Sequence, residues 1–503
     1  MSGVTIDFLF TLIKALGKAE KRHFKVYAGK HVIGDKNTYV KLFDAINKQK
    51  KYNKSKLLKQ KIFRDLPSLR KRLYGAILKS LEEYHSSVSI DARSELNRIE
   101  ILYAKSLFFH CQRIIKNLKS NCMKYDLHAE MLEALKWEDR IAMKNFDSAK
   151  RDDMLGQINK IIRILSNQHS YREMENDLTE IFQQFGVLKK ISKNKVIRKF
   201  INNPLFQNQD SALSLPAKRT YLSCHFFYFL LRGNLNSAYS FGRKLVDSYD
   251  NIDYFIAPLS FAYLNALNNA LVLSNELRKY DEMLGLLAKL QEHQQKLYSK
   301  SDKTIAFFYN YNFLNYYVST GQFADAKYYL KRIENELPIH EPNINYLEKM
   351  FFYYVIATVY FGQENYKRCI YWLNRALALG NMKIRKDIDS HIRLLNIIAN
   401  YEMKSDPVFM NSLIRSAYHY LDKEKEIHKI NILVLDFLKN LMRCSPSRSN
   451  TRESFKHLKS KLKVISIEKN KKMTFEGFDF VSWIDSKIEN RTLAEVVQQK
   501  ALT

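Results

Sequence analysis

The side chains best suited to metal binding or nucleophilic catalysis are two adjacent pairs, His110–Cys111 and Cys224–His225. A metal site on one helix needs ligands three or four residues apart, because adjacent side chains point about 100° away from each other. Neither pair can converge on one ion, and Cys–His nucleophilic catalysis fails for the same reason. The five cysteines are scattered and form no Cys-x-x-Cys pair, which indicates reduced thiols in a cytosolic protein.

Motifs for phosphate binding or acid–base catalysis are also missing. The chain contains no Gly-x-x-x-x-Gly-Lys-Ser/Thr and no Gly-x-Gly-x-x-Gly, and the Gly-Lys at Gly17 follows no predicted strand. The acidic pairs Glu82–Glu83 and Asp152–Asp153 lie in charge-rich helical stretches and indicate solvated surface. We therefore expect no enzyme, no catalytic residue, no metal and no cofactor.

The composition favours an all-α chain. Only 14 of the 503 residues are Gly and 8 are Pro, against a usual combined share of about 12%. This excludes a collagen-like chain, a Pro/Gly-rich disordered chain and a turn-dense all-β chain. The apolar start, Val4–Ile13, lacks the basic region and cleavage site of a signal peptide, and no stretch of about 18 residues is free of polar groups. We expect a cytoplasmic protein without a membrane partner.

The charge divides the chain into three zones. The net charge is +30, and residues 1–88 hold 20 Lys and Arg against 7 acids, which predicts a basic N-terminal helical domain. Residues 91–445 are repetitive. Residues 446–503 predict a basic linker and helix followed by a C-terminal cap, with the apolar cluster from Phe475 to Ile484 as the cap.

Helical periodicity and end signals define the helices that would carry these zones. Asn53 is the predicted N-cap of the helix Lys54–Phe63, and Pro67 opens the helix Ser68–His85. The predicted helices include Val4–Leu16, Lys18–Ala28, Asn37–Gln49, Lys54–Phe63, Ser68–His85, Glu130–Lys144, Asp147–Gln168, Tyr171–Phe185, Lys193–Asn202, Thr451–Lys469 and Arg491–Lys500.

A repeating hairpin pattern fills the second zone. The clearest unit, Phe351–Ala378, has small and aromatic residues spaced as in two helices joined by a short turn. The same small-residue position falls at 111, 238, 283, 326, 369 and 412, with the last four steps 45, 43, 43 and 43 residues. The gap between 111 and 238 predicts two further units. A regular spacing of this kind is typical of a solenoid.

The hairpins at 233–238, 321–333 and 353–377 resemble the tetratricopeptide repeat family. The hairpin at 321–333 has the family's turn glycine, the aromatic residue two positions on and the small residue three further, at Gly321, Phe323 and Ala326. The hairpins depart from the family in their period of about 43 instead of about 34, and in lacking the closing proline. The layout also resembles bacterial helical-repeat proteins with a short basic N-terminal domain, a likeness that implies no function. The resemblance implies a right-handed α-solenoid and a non-catalytic scaffold or adaptor that binds a protein or peptide.

The resemblance also implies a concave groove lined by the first helix of each hairpin. An Asn amide both donates and accepts, so it could pair with the main chain of an extended peptide while aromatic residues pack its side chains. The sequence leaves open whether these residues bind a peptide or make ordinary contacts between helices. The groove positions carried over are Asn265, Asn268, Asn269, Asn275, Phe308, Tyr311, Asn312, Asn315, Phe351, Tyr354, Thr358 and Phe361.

The basic surplus supports an alternative function, a nucleic-acid-associated regulator or ribosome-linked factor. Its candidate phosphate-binding residues are Arg70, Lys71, Arg72 and Lys79, with a further basic patch at 189–199. Tyr52, Tyr74 and Tyr84 are placed to stack on bases. The sequence leaves open whether these cations bind nucleic acid or form a solvated surface, and it determines neither the partner, the pathway nor the oligomeric state.

Overall fold

The computed structural model of this chain describes residues 7–30, 38–49, 52–58, 65–85, 87–144, 148–185, 195–250, 257–298, 303–341, 344, 346–380, 386–421, 429–444, 448–469 and 478–502. Every regular element in these ranges is a helix, which confirms the all-α prediction. Contacts divide the chain into two compact units, residues 1–165 with 253–257, and residues 166–252 with 258–503. This division falls elsewhere than the predicted boundary near residue 90.

In the first unit, two helices begin directly after a residue whose side chain caps the helix N-terminus. Asp7 accepts a hydrogen bond from the amide of Phe10 and Asn53 accepts one from that of Lys56, so the predicted cap at Asn53 is confirmed. The helices of this part are α1 (Phe8–Ala15), α2 (Lys18–Lys30), α3 (Thr38–Asn47), α4 (Lys54–Leu58), α5 (Leu66–Tyr84), α6 (Val88–Ala104), α7 (Phe108–Lys124), α8 (His128–Lys144) and α9 (Ser148–Phe185).

The second unit begins at Ser166, within α9. Its remaining helices are α10 (Lys195–Ile201), α11 (Pro204–Gln207), a 3₁₀ turn (Gln209–Ser211), α12 (Leu215–Leu231), α13 (Leu235–Asp247), α14 (Ala257–Glu276), α15 (Tyr280–Tyr298), α16 (Lys303–Ser319), α17 (Lys327–His340), α18 (Tyr346–Gly362), α19 (Tyr366–Leu377), α20 (Lys386–Glu402), α21 (Pro407–Leu421), α22 (Lys429–Cys444), α23 (Arg448–Lys469), α24 (Phe480–Glu489) and α25 (Leu493–Ala501).

Three predicted boundaries are wrong. The helices predicted at 147–168 and 171–185 are one helix, α9, because the polar residues between them include neither Gly nor Pro. Arg448 and Ser449, predicted as linker, lie inside α23. The last helix begins at Leu493 because Thr492 and Glu495 cap it reciprocally.

The N-terminal helices have a core of their own. Helix α2 packs on α5, and α1 packs on α3. Their apolar faces meet in a cluster of buried side chains that includes Ile13, Phe24, Phe43 and Ile77. Because Phe24 and Phe43 fill this core with ring centroids 4.7 Å apart, the charged faces of α2 and α3 are turned to solvent.

The hairpins share one pattern of burial on their second helix. Residues at positions x, x+4 and x+7 are buried in α7, α15, α17, α19 and α21. In α19 these are Cys369, Leu373 and Ala376, and in α21 they begin at Met410. Ser412, the predicted equivalent of Cys369, is instead exposed. The last step of the repeat is therefore two residues shorter than predicted.

The turns within the hairpins also share one geometry. One residue adopts a left-handed conformation, and the next amide donates to a carbonyl five residues earlier, as Gln322 does to Tyr317 (2.9 Å). Glycine fills this position at only two of the hairpin turns, and polar residues take it at the others. The left-handed residues are Ser106 (φ 59°), Gly233 (70°), Arg278 (55°), Gly321 (72°), Glu364 (60°) and Lys404 (56°).

Residues about one repeat apart are in contact across successive hairpins. Between second helices, the Tyr239 hydroxyl donates to Glu282 (2.7 Å). Between first helices, the ring centroid of Tyr311 lies 4.7 Å from that of Phe352. These sequence separations of 43 and 41 residues match the repeat spacing. At these two places, successive hairpins contact each other through equivalent helices.

The C-terminal residues 478–502, here called the C-terminal clasp, contact three successive hairpins where their first helices end. Gln498 Nε2 donates to Gly321 O (3.0 Å) after α16, and Phe478 packs on Phe361 at the end of α18 (4.9 Å between centroids). Trp483 Nε1 donates to Glu402 at the end of α20 (2.7 Å). The part of the predicted apolar cluster that the structure describes is buried here, and Phe475 lies outside the described residues.

Candidate interaction surfaces

Helix α14 exposes a stripe of amide side chains with an apolar residue at each end, here called the α14 stripe. Phe261 is 57% exposed, Asn265 is exposed, Asn268 is half-buried, and Val272 is 38% exposed. The spacing i, i+4, i+7, i+11 places these four on one face, and half-buried Asn269 lies beside them. The sequence prediction named the asparagines but missed Phe261 and Val272, which the helical spacing alone could have found.

The next equivalent helix, α16, is more enclosed. Asn312 is 2% exposed, and its amide donates to Asn268 Oδ1 across the two helices (3.1 Å). Tyr311 and Asn315 are half-buried, and burial raises the pKa of the Tyr311 hydroxyl. The structure therefore joins Asn268 and Asn312 in an inter-helix contact, which was one of the two alternatives that the sequence left open. The side chain of Phe308 lies outside the described residues.

On α18 the predicted groove residues are covered. Tyr354 is 0% exposed and Thr358 is 2% exposed, with its hydroxyl donating to Tyr354 O (2.9 Å). Phe361 is buried against the C-terminal clasp, and Phe351 is half-buried. The predicted residues thus do not share one open surface, and the α14 stripe is the part that solvent reaches.

Asn275, the last predicted residue of α14, lies at the turn end of that helix. Its Oδ1 is buried and accepts no hydrogen bond from the residues that the structure describes. It follows Val272 by three residues, so it continues the face of the stripe towards the left-handed turn at Arg278.

The predicted phosphate-binding residues of α5 have two different environments. Arg70 is engaged within the domain, where its guanidinium pairs with Asp7 (2.5 Å) and hydrogen-bonds Tyr52. Lys71, Arg72 and Lys79 are exposed on the opposite face of α5. Arg70 and Tyr52 therefore hold the domain together. Tyr74 and Tyr84 are 41% and 40% exposed, and residues 189–194 of the second basic patch lie outside the described part of the chain.

A second basic surface, which the sequence prediction missed, lies on α2. Lys18, Lys21, Arg22 and Lys25 line one open cleft together with Val26. Their spacing of three and four residues places them along one side of the helix. That spacing is visible in the sequence, but only the structure shows that the opposite side of α2 fills the core.

The cysteine–histidine pair at 224–225 is built into the core of the second unit. Cys224 Sγ faces Tyr171 O (3.8 Å), whereas His225 Nε2 donates to Phe206 O (2.9 Å) between the rings of Phe206 and Phe241. Burial raises the pKa of the Cys224 thiol well above its usual value and lowers that of His225. Both groups are therefore neutral near pH 7, and they point to different partners.

No protein-family model and no curated protein matches this chain. The described residues contain no group of three or more His, Cys, Asp or Glu side chains placed to hold a metal ion. Among the described helices, none combines the length and the apolar character needed to cross a bilayer. The two surfaces that present exposed side chains are the α14 stripe and the basic face of α2.

Proposed function

We propose that this chain is a non-catalytic scaffold or adaptor, and that its repeat region is a right-handed solenoid of tetratricopeptide-like hairpins. The recurring left-handed turns, the x, x+4, x+7 burial pattern and the contacts about one repeat apart support this arrangement. A chain built by stacking one unit buries a continuous core and leaves the equivalent first helices side by side. We assign it to the cytoplasm, because its four described cysteines are free, buried thiols.

The observation that carries the binding proposal is the open α14 stripe. Phe261 and Val272 provide apolar anchors on either side of Asn265, while half-buried Asn269 lies beside them. An exposed aromatic ring gains free energy when a partner covers it, and an amide beside it fixes the register of a peptide main chain. The stripe fits a short peptide with one bulky apolar side chain that packs on Phe261.

Phe261 is the predicted centre of this interface. Binding energy is concentrated in a few residues, which are often aromatic, and polar neighbours mainly add specificity. We therefore expect Phe261→Ala to weaken the peptide complex more than either Asn265→Ala or Asn269→Ala.

A displayed library of random peptides, selected on the full chain, tests this proposal. We expect the enriched peptide to bind Phe261→Ala and the Asn265→Ala/Asn269→Ala variant at least about tenfold more weakly than wild type. The matched control is Tyr328→Ala, since Tyr328 is a 65% exposed aromatic residue on a second helix. Equal binding by wild type and both stripe variants contradicts the proposal.

A nucleic-acid-associated regulator or ribosome-linked factor is the second candidate function. It is favoured by the basic face of α2, and the exposed cations Lys71, Arg72 and Lys79 of α5 are the competing contact that the sequence predicted. These surfaces belong to the first unit, so the two candidate functions do not compete for the same residues.

A further inference from the structure

The cations of α2 and α3 border one common seam, here called the basic seam. Lys41 and Asp44 of α3 share one face with Lys48, which follows the last residue of α3 and whose amide donates to Asp44 O (3.0 Å), because the three are spaced i, i+3 and i+7. Lys25 of α2 reaches across to Asp44, with 2.8 Å between Nζ and Oδ1. This ion pair brings the basic face of α2 beside that face of α3. At one end of the seam, Lys14 of α1 donates to Asn47 O (2.6 Å).

The acids of these three helices leave most of the seam unneutralised. Asp7 pairs with Arg70, and Glu20 pairs with His85 (2.7 Å), so both carboxylates are engaged by the α5 region. Among the described acids of these helices, Asp44 is therefore the carboxylate that remains within the seam. Four exposed cations have no carboxylate partner among the residues that the structure describes: Lys18, Arg22, Lys41 and Lys48.

The shape of the seam selects an extended polyanion. Lys18 to Lys25 and Lys41 to Lys48 each cover seven residues, or about 10 Å of helix. That length matches about three phosphates along one strand of a duplex, at about 3.4 Å of axis each. A single phosphate cannot contact all of these cations, whereas a sugar-phosphate backbone lying along the seam can.

The apolar residues around the seam argue against a membrane or a protein partner. A helix that binds a bilayer surface inserts large apolar side chains beside its cations, and a protein interface has an apolar centre. Phe24 and Ala28 of α2 are buried in the domain's own core, which leaves Val26, 53% exposed, as the apolar residue of the cleft. The surface is therefore cationic without an apolar centre.

We propose that the basic seam binds the phosphodiester backbone of a polynucleotide without reading its sequence. This inference rests on the second candidate function and places its contact on α2 and α3, where the sequence prediction placed it on α5. Binding of this kind is dominated by counterion release, so it weakens steeply as the salt concentration rises.

Fluorescence anisotropy with labelled 20-nucleotide single-stranded RNA, 20-base-pair RNA and 20-base-pair DNA tests the inference on the full chain. The seam variant is Lys18→Gln/Arg22→Gln/Lys48→Gln. Its charge-matched control is Lys71→Gln/Arg72→Gln/Lys79→Gln, which removes the same charge from the exposed face of α5. We expect the seam variant to bind at least about tenfold more weakly, with its salt slope reduced by about 2 to 3, while the control stays near wild type.

A gain of affinity provides an independent check. Asp44→Asn removes the carboxylate of the seam and frees Lys25, so we expect binding to tighten about threefold, consistent with one added phosphate contact. The Lys25–Asp44 pair is exposed, so this change should leave folding intact.

Each other outcome overturns the inference, and the outcomes differ in whether the contact site, the nucleic-acid function or the choice of partner is wrong. Loss of binding in the α5 control with a normal seam variant moves the contact to α5, so the inference fails while the nucleic-acid function stands. Equal loss in both variants shows a dependence on net charge alone. Absence of binding to all three polynucleotides refutes both the inference and the second candidate function. If the wild-type protein binds phosphatidylserine vesicles or polyglutamate as tightly as it binds RNA, a polynucleotide is the wrong choice of partner.

Discussion

Helices α14 and α18 occupy the same place in their hairpins but present different surfaces. Asn268 on α14 and Tyr354 on α18 are equivalent in the repeat, yet Asn268 borders solvent and Tyr354 is 0% exposed. Helix α18 packs against α16 and α19, and its end contacts Phe478 of the C-terminal clasp. Equivalent positions in a repeat are therefore not equivalent surfaces, because the neighbouring helices decide which faces remain open.

The largest expected effect contrasts a covered residue with an open one. Tyr354→Ala should lower the free energy of unfolding by about 3–5 kcal/mol, because it leaves a cavity in a packed core. Phe261→Ala should change it by no more than about 0.5 kcal/mol, because its ring is already in water. Urea unfolding followed by tryptophan fluorescence measures both. Similar losses in the two variants would show that α14 is as enclosed as α18.

The next effect concerns the clasp at the end of α16. A Cβ on Gly321 would lie 2.8 Å from Ala494 O and Gln498 N, and its φ of 72° is unfavourable for other residues. Gly321→Ala should therefore destabilise the protein by about 2–4 kcal/mol. Gly285→Ala is the matched control, since its Cβ meets nothing within 4 Å and helical alanine is favoured by about 1 kcal/mol. Hydrogen exchange of α25 should rise in the first variant alone.

Acid should loosen the clasp through Asp485. Burial raises the pKa of this carboxyl, but Lys459 (2.6 Å) and Lys500 (2.8 Å) outweigh burial and hold the pKa below its usual value. A lowered folded pKa contributes stability above the unfolded pKa, about 3.9, and loses it as the pH falls through the folded value.

Asp485→Asn tests that contribution. It should cost about 1–3 kcal/mol at pH 7, because two partly covered ammonium groups lose their partner. The difference from wild type should shrink below about pH 4. Melting temperatures measured from pH 7 to pH 3 check this, and a difference that is constant with pH contradicts an ionic role.

The smallest effect separates two asparagines of the predicted groove. Asn312→Ala should cost about 1 kcal/mol, because it leaves the amide of Asn268 without its inter-helix partner. Asn265→Ala should be neutral within about 0.5 kcal/mol, because Asn265 is exposed. A double-mutant cycle with Asn268→Ala gives the coupling directly, and a coupling of zero would mean that the contact does not stabilise the stack.

Much of the local structure followed from the sequence. The scarcity of Gly and Pro predicted an all-α chain, and the spacing of Cys111, Ala238 and Ala326 located helix positions that are buried in the structure. The prediction failed at Ser412 and in α9, where the only signals were polar residues. Polar residues alone determine neither where a helix ends nor which of its faces is buried. The packing of a neighbouring helix decides which side chains face solvent.

The candidate surfaces were only half visible in the sequence. Their residue types were evident, but Arg70 is engaged with Asp7, and a further group of cations lines the cleft on α2. The reason is that charge counts along a chain do not tell which carboxylate each cation meets. That depends on long-range pairing, such as the contact between Lys25 and Asp44.

The sequence by itself determined the helices, the repeat spacing and the excess of positive charge, because these depend on residues within a few turns of one another. Only the tertiary structure decided that α14 is open while α18 is covered, that the C-terminal clasp reaches back to Gly321, and that Lys25 pairs with Asp44 in the basic seam. Burial and charge pairing join residues far apart in the chain, so no local pattern encodes them.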